Sequence, residues 1–203
     1  MAWIVGCDPG ITSSYAFYDG KQLIIKDIPT KVKNKNITRH SSMRRRIDIY
    51  GCIGIFRQFI KEHGAIKFAI TEDVHSMPQD GHVGAFTFGR TVGNLEALFS
   101  SFNIEIIAIS PSVWKPQMGL NSNKNRSLAL AKETFPNYIH YFERYKFHNR
   151  AESALLAWLG YKKFFVTESP EKPLVINDAK NKNQVTSDVP SLTLETANHS
   201  LLD

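Results

Sequence analysis

Three apolar runs of strand length fill the first 28 residues of this chain, and only turn dipeptides separate them. Residues 3–7 end at Asp8-Pro9-Gly10, residues 14–18 end at Asp19-Gly20, and a third run covers residues 22–28. Such short runs leave no room for a helix, and such turns send the chain back antiparallel, so the pattern predicts a three-stranded β-meander. After Asp48 the period changes. Ile49, Cys52, Ile53, Ile55, Phe56, Phe59 and Ile60 recur near helical spacing, and Gly64 supplies a stop. A strand over residues 66–74, a helix over about 86–102 and a strand over 105–109 continue the alternation, with two more helices over 125–135 and 150–165. A meander that runs on into β-α-β-α-β predicts an α/β fold, a mixed five-stranded sheet flanked by helices.

Composition narrows what such a sheet would serve. With 203 residues and 42% hydrophobic content, the chain can bury one ordinary core. Its net charge of +6 and pI near 9.3 favour a polyanionic partner, nucleic acid ahead of an anionic membrane. Cys7 and Cys52 are the only cysteines, without a CxxC pair, which argues against a disulfide scaffold and a cysteine zinc site. No basic leader opens the sequence and no stretch approaches the ~20 apolar residues of a membrane span, so a soluble, intracellular protein is expected.

The charge is unevenly spread. Lys31, Lys33, Lys35, Arg39, Arg44, Arg45 and Arg46 follow one another with no acidic residue between them, a basic connection expected to be mobile until it meets a partner. Residues 168–203 instead carry six Asp or Glu against three Lys and are punctuated by Pro170, Pro173 and Pro190. The reading is a folded domain over residues 1–166 and a disordered acidic tail over 167–203.

Three carboxylates stand where α/β sheets build sites. Asp8 follows the first strand, Glu72 lies near the end of the fourth, and Glu152 opens the last helix. Strand ends and helix starts can converge on one sheet edge. Carboxylate oxygens there would suit Mg²⁺, and a pair of ions ~4 Å apart can stabilise both oxygens of a phosphodiester hydrolysis. Each acid taken singly has a plainer explanation. An Asp before Pro-Gly serves a turn, and a Glu at a helix start complements the dipole. Glu72 is harder to explain away, because Phe68-Ala69-Ile70 before it looks buried. Asp73 competes for the role, although strand alternation points the two to opposite faces.

The motifs themselves are specific. IVGCDPGITSSYAF resembles the opening of RuvC-like Holliday junction resolvases, members of the RNase H-like superfamily, where a hydrophobic strand, D-P-G, small polar residues and an aromatic strand follow in order. TEDVH resembles the strand bearing that family's second acid, and HNRAESALLAWLGY its final helix. FTFGRTVGNLEALF, SPSVWKPQMGL and NKNRSLALAKETFP resemble the phage and related bacterial versions, so the likeness spans residues 3–163.

This resemblance implies an RNase H-like fold and a structure-selective endodeoxyribonuclease that resolves four-way or branched DNA by paired nicks. It implies Asp8, Glu72 and Glu152 as ligands for Mg²⁺, or Mn²⁺, with two ions per site. His148 would be the fourth active-site group and a further metal ligand, meeting the same ion as Glu152, although Asn149 competes for that position. Lys115 would act beside the scissile phosphate, and Lys124 or Arg126 match further basic positions. His75, Phe86 and Phe88 fall where the family probes the junction centre, with at least one phenylalanine expected in the core, and Arg90 is placed to reach phosphate. Arg44, Arg45 and Arg46 would add sequence-independent affinity. Trp114 is expected to pack rather than stack on a base. A homodimer is implied, since paired nicks need two-fold symmetry. The helix bearing Gly93, Leu95, Ala97, Leu98 and Phe99 could supply its face, or the same residues could be core. The expected location is the cytoplasm of a bacterium or phage-infected cell. The same fold would also serve a nuclease for flaps or RNA–DNA hybrids, or a non-catalytic junction-binding protein.

Overall fold

Apolar residues on both sides of the first strand require a layer on each face of the sheet, and the computed structural model shows both layers. It describes residues 2–32, 45–76 and 81–166, all within the compact unit Met1–Thr167. Strands β1 (Trp3–Cys7), β2 (Ser14–Tyr18) and β3 (Leu23–Asp27) form the expected antiparallel meander. Strands β4 (Thr30–Val32) and β5 (Arg45–Ile47) make a separate antiparallel ribbon, followed by helix α1 (Ile49–His63). Strand β6 (Ile66–Glu72) then enters the sheet parallel to β1, and after helix α2 (Gly81–Ser101) strand β7 (Glu105–Ile109) pairs parallel to β6. The sheet order is β3-β2-β1-β6-β7. Helices α3 (Pro111–Gln117), α4 (Lys124–Thr134) and α5 (His148–Phe165) complete the described elements, with two 3₁₀ segments between α4 and α5.

Alternation along β1 divides the core. Trp3, Val5 and Cys7 join Phe17, Cys52, Phe56, Phe59, Leu98 and Phe99 on the face covered by α1 and α2. Ile4 joins Ile70, Trp114, Leu128, Leu155 and Leu156 on the face covered by α4 and α5. The aromatic side chains interlock, with Phe17 stacked on Phe59 at 3.9 Å and Tyr15 edge-on to Phe56 at 5.0 Å. Truncating a buried phenylalanine such as Phe56 costs ~3–5 kcal/mol.

Two glycines set the distance between sheet and α5. A Cβ on Gly6 would lie 2.0 Å from the Ser153 carbonyl oxygen, and one on Gly160 would lie 2.4 Å from Ile70. Larger residues at either position would lift the helix that carries Glu152 away from the strand that carries Asp8.

Several expectations need correction. The basic connection over residues 31–46 is expected to be mobile until it meets a partner, yet its two ends pair, Lys31 with Arg46 and Val32 with Arg45, because extended chains satisfy their backbone groups by pairing. Arg44 and the rest of that connection lie outside the described residues, as does the tail over 167–203. Helix α2 starts at Gly81 rather than Phe86. Its first turn is exposed, so no apolar period marked it. Helix α3 is not among the elements that the periodicity predicts; Pro111 occupies its first turn, where a missing N–H costs nothing. Leu95, Leu98 and Phe99 are core residues at 2% exposure or less, while Gly93 and Ala97 face outward. That settles the helix's apolar stripe as packing, because the sheet already covers it.

Candidate active site

Register brings the first two carboxylates level. Cys7 of β1 is paired with Thr71 of β6, so Asp8 and Glu72 are the next residues on adjacent parallel strands at the same sheet edge. The third, Glu152, is buried one turn into α5, the helix seated against Gly6. Ser153 ties these segments together. Its hydroxyl donates to the Ser14 carbonyl at 3.0 Å and accepts from the Asp8 backbone N–H at 3.3 Å.

Each buried glutamate has assigned partners. The Trp114 indole Nε1 donates to Glu72 Oε1 at 3.1 Å, and the Ser127 hydroxyl donates to Glu152 Oε1 at 3.1 Å. The Lys115 ammonium bridges them, 3.1 Å from Glu72 Oε1 and 3.3 Å from Glu152 Oε2. Burial pushes the Lys115 pKa down, but Glu152 and Glu72 outweigh it and hold the group above its ordinary value. Asp8 responds in the opposite sense. Burial, then Glu72 and Glu152, push its carboxyl up to about 7, against a smaller downward pull from Lys115 and Lys124. The three acids therefore share one electrostatic site.

Among the described residues no three His, Cys, Asp or Glu side chains are gathered as a ready-made metal site. The chemistry of the donors nevertheless fits a hard divalent cation. All three are carboxylates, they repel one another, and a single lysine ammonium supplies the positive charge between two of them. Asp73 is exposed and its N–H bonds the Ile109 carbonyl, so alternation separates it from Glu72 as expected.

The remaining expected residues divide into groups. His148 opens α5, two residues earlier than the sequence pattern placed the helix start, and so lies one turn before Glu152. Its Nε2 is 2.8 Å from the Lys124 ammonium and its Nδ1 is 3.0 Å from the Tyr145 carbonyl. Since the ammonium can only donate, this pairing fits a neutral ring with the proton on Nδ1. Asn149 turns away to bond Thr12, at 3.1 Å to its hydroxyl. Arg126 is exposed.

His75 and Phe88 line one cavity of about 190 Å³ beside α2. Phe86 stands apart, 69% exposed with the Arg90 guanidinium 5.6 Å from its ring. Neither phenylalanine belongs to the core, contrary to expectation, since the buried residues of α2 all lie from Thr91 onward. Arg45 is exposed and Arg46 half-buried on the ribbon. Trp114 is fully buried, as expected, but its role as a donor to Glu72 was missed, as were Ser127 and Ser153. A buried indole N–H needs an acceptor, which was the available signal for Trp114. Nothing local distinguishes the two serines.

No family model matches the chain, and no curated protein sequence does. Among solved structures, Thermus thermophilus RuvC in complex with a Holliday junction substrate superimposes with a TM-score of 0.52 at 12% identity, covering 80% of this chain and 96% of that one. A second Thermus thermophilus RuvC structure covers 81% and 97%, with a TM-score of 0.46 at 12% identity. The fold is α/β, a mixed five-stranded sheet flanked by helices, and is similar to the RNase H-like fold of RuvC. At this identity the likeness is one of fold.

Proposed function

We propose that the chain is a metal-dependent endodeoxyribonuclease that resolves four-way or branched DNA by paired nicks. The observation that carries this reading is the convergence of Asp8, Glu72 and Glu152 on one edge of a RuvC-like sheet. Asp8, Glu72 and Glu152 would hold Mg²⁺ or Mn²⁺, with His148 at the border of the site. Bound divalent ions supply positive charge that polarises the phosphodiester and lowers the pKa of water. Trp114 and Ser127 orient the two glutamates by occupying one oxygen of each. Lys115 is placed to hold a phosphate oxygen or to stabilise charge developing on it. Lys124 fixes the His148 ring through Nε2. His75, Phe86, Phe88 and Arg90 would meet the strands near the branch point, and Arg44, Arg45, Arg46 and Arg126 the flanking phosphates.

Paired cuts on a nearly two-fold symmetric substrate are supplied by a homodimer. In this reading residues 1–166 are the nuclease domain and 167–203 an acidic tail, and the protein works in the cytoplasm of a bacterium or phage-infected cell. Among the described residues no helix is long and apolar enough to cross a membrane. The test incubates synthetic four-way junctions, flaps and RNA–DNA hybrids with Mg²⁺ or Mn²⁺ and maps the products. Symmetrical paired nicks in the junction are expected. Cutting confined to flaps or hybrids would transfer the activity to another nuclease class, and binding without cutting would overturn catalysis.

A further inference from the structure

Beside the acid cluster lies a cavity of about 340 Å³, walled by the loop after β1, the chain that leads from the end of β3 into the ribbon, Arg45 of the ribbon, and the 3₁₀ segment before α5 with the first residues of that helix. It shares its backbone with the proposed active site. Thr12 is four residues beyond Asp8, and Asn149 is one helical turn before Glu152. The side chains bonded to each other across this wall, Thr12 and Asn149, thus connect the cavity to both acidic segments.

Three kinds of group meet there. Arg45 and Lys146, both exposed, supply positive charge. The Arg150 guanidinium lies 3.9 Å from the centre of the Phe147 ring and is held in place by Asp27, with Nε at 2.7 Å from Oδ1, which makes a rigid flat platform. Polar groups complete the wall, among them the Ser13 hydroxyl, which is buried at 2% residue exposure and has no hydrogen-bond partner among the described residues. A buried polar atom without a partner is costly unless a ligand or water supplies one.

Cations alone would suit any small anion, and an aromatic face alone any planar apolar group. Cations, a flat platform and buried hydrogen-bonding groups in one cavity match the phosphate, the face and the edge of a nucleotide. The volume is also at the lower end of ligand pockets, ~300–1,000 Å³. We propose that this cavity is a nucleotide subsite that receives one nucleotide of the DNA strand adjacent to the cut and reads its base. The assignment to the strand being cut rests on the nuclease reading above. The base stacks on the platform that Phe147 and Arg150 form together, Arg45 and Lys146 hold phosphate, and Ser13, Thr12 and Asn149 line the wall towards the base edge.

The test compares wild type with Phe147→Ala, Phe147→Tyr and Lys146→Ala. Binding of fluorescent pentadeoxynucleotides of each base is measured in EDTA, and cleavage is measured on junctions varied at the positions beside the cut. Phe147→Ala should weaken oligonucleotide binding about tenfold and flatten the base preference beside the cut, while Phe147→Tyr retains both. Lys146→Ala should weaken all sequences equally and reduce the salt slope by about one phosphate contact. Thermal stability identifies a variant that fails to fold, and exposed Lys146 keeps the test available in that event. Wild-type oligonucleotide affinity and base preference in Phe147→Ala or wild-type salt dependence in Lys146→Ala would overturn the subsite while leaving the nuclease reading intact. If wild type cuts no DNA, the nuclease reading fails and the oligonucleotide titration alone decides the subsite. Loss of oligonucleotide binding in Phe147→Ala would then uphold it, and unchanged or absent binding would reject it.

Discussion

The acid cluster and the N-terminal half of α2 are both expected to meet DNA, yet they are built on opposite terms. Glu72 and Glu152 are 8% exposed, and each has a hydrogen-bond donor and a share of the Lys115 ammonium. Phe86 is 69% exposed, and the contact described for its ring is with Arg90 on the same helix. Charges taken out of water must be placed by the fold, because an error of one partner leaves an uncompensated buried charge. An exposed aromatic ring carries no such obligation. The cluster is therefore tied to the stability of the domain, whereas the α2 surface can change with little effect on folding.

The most severe way to probe this contrast is Asp8→Asn, which removes a charge without changing volume. Cleavage in Mg²⁺ should fall by about a thousandfold or more while junction affinity in EDTA stays within about threefold. Gel mapping of junction products alongside anisotropy measurements checks both numbers, and retained Mg²⁺-dependent cutting would remove Asp8 from the site.

Lys115→Met should act on stability first. It leaves Glu72 and Glu152 facing one another without their cation, and breaking a buried pair costs ~3–5 kcal/mol. The metal-free protein should melt lower by roughly 5 °C or more. Saturating Mn²⁺ should recover most of that loss, and calorimetry with and without the ion gives the difference. Unchanged metal-free melting of the Lys115→Met protein would show that the lysine bridge contributes nothing.

Asp8 gives a pH dependence with a definite sign. Its carboxyl is raised to about 7 in the folded, metal-free protein, so the folded state binds the proton more tightly than the unfolded chain does. The stability this confers is complete below the ordinary aspartate range near 4 and is lost as pH rises through about 7. Metal-free Asp8→Asn should therefore be more stable than wild type at pH 8, by on the order of 2 kcal/mol, and the gap should close towards pH 4. Denaturation in EDTA across that range measures it. An equal gap at both pH values would mean that burial and the neighbouring Glu72 and Glu152 do not raise Asp8 in the folded protein.

On the exposed side the effects should be smaller and should appear in binding alone. Phe86→Ala is expected to weaken junction affinity by about fivefold, the low end of base-stacking losses, with no change in melting. The combined Arg44→Ala, Arg45→Ala and Arg46→Ala protein should lose up to about three units of salt slope. A melting temperature lowered by Phe86→Ala would break the contrast between the two regions.

Much of this molecule was legible in one dimension. The meander, α1, β6, β7 and α4 follow from apolar period and turn residues, because local sterics and burial of one face act within a few residues. Asp8, Glu72 and Glu152 could be proposed from their places at strand ends and a helix start, and Asp73 set aside by alternation. What the sequence left open depends on contacts between distant segments. Whether the stripe on α2 packed inward or met a partner was decided when the sheet covered Leu95, Leu98 and Phe99.

The joining of Glu72 and Glu152 by Lys115, the donors Trp114 and Ser127, and the close approach at Gly6 span separations of 37 residues or more in some of their pairs. Neither periodicity nor propensity reaches so far. The order of strands and helices, with the acids on it, was written in the sequence. The positions of those acids relative to one another and to their donors were decided by tertiary packing, since the cost of burying a charge can only be met by partners the fold brings near.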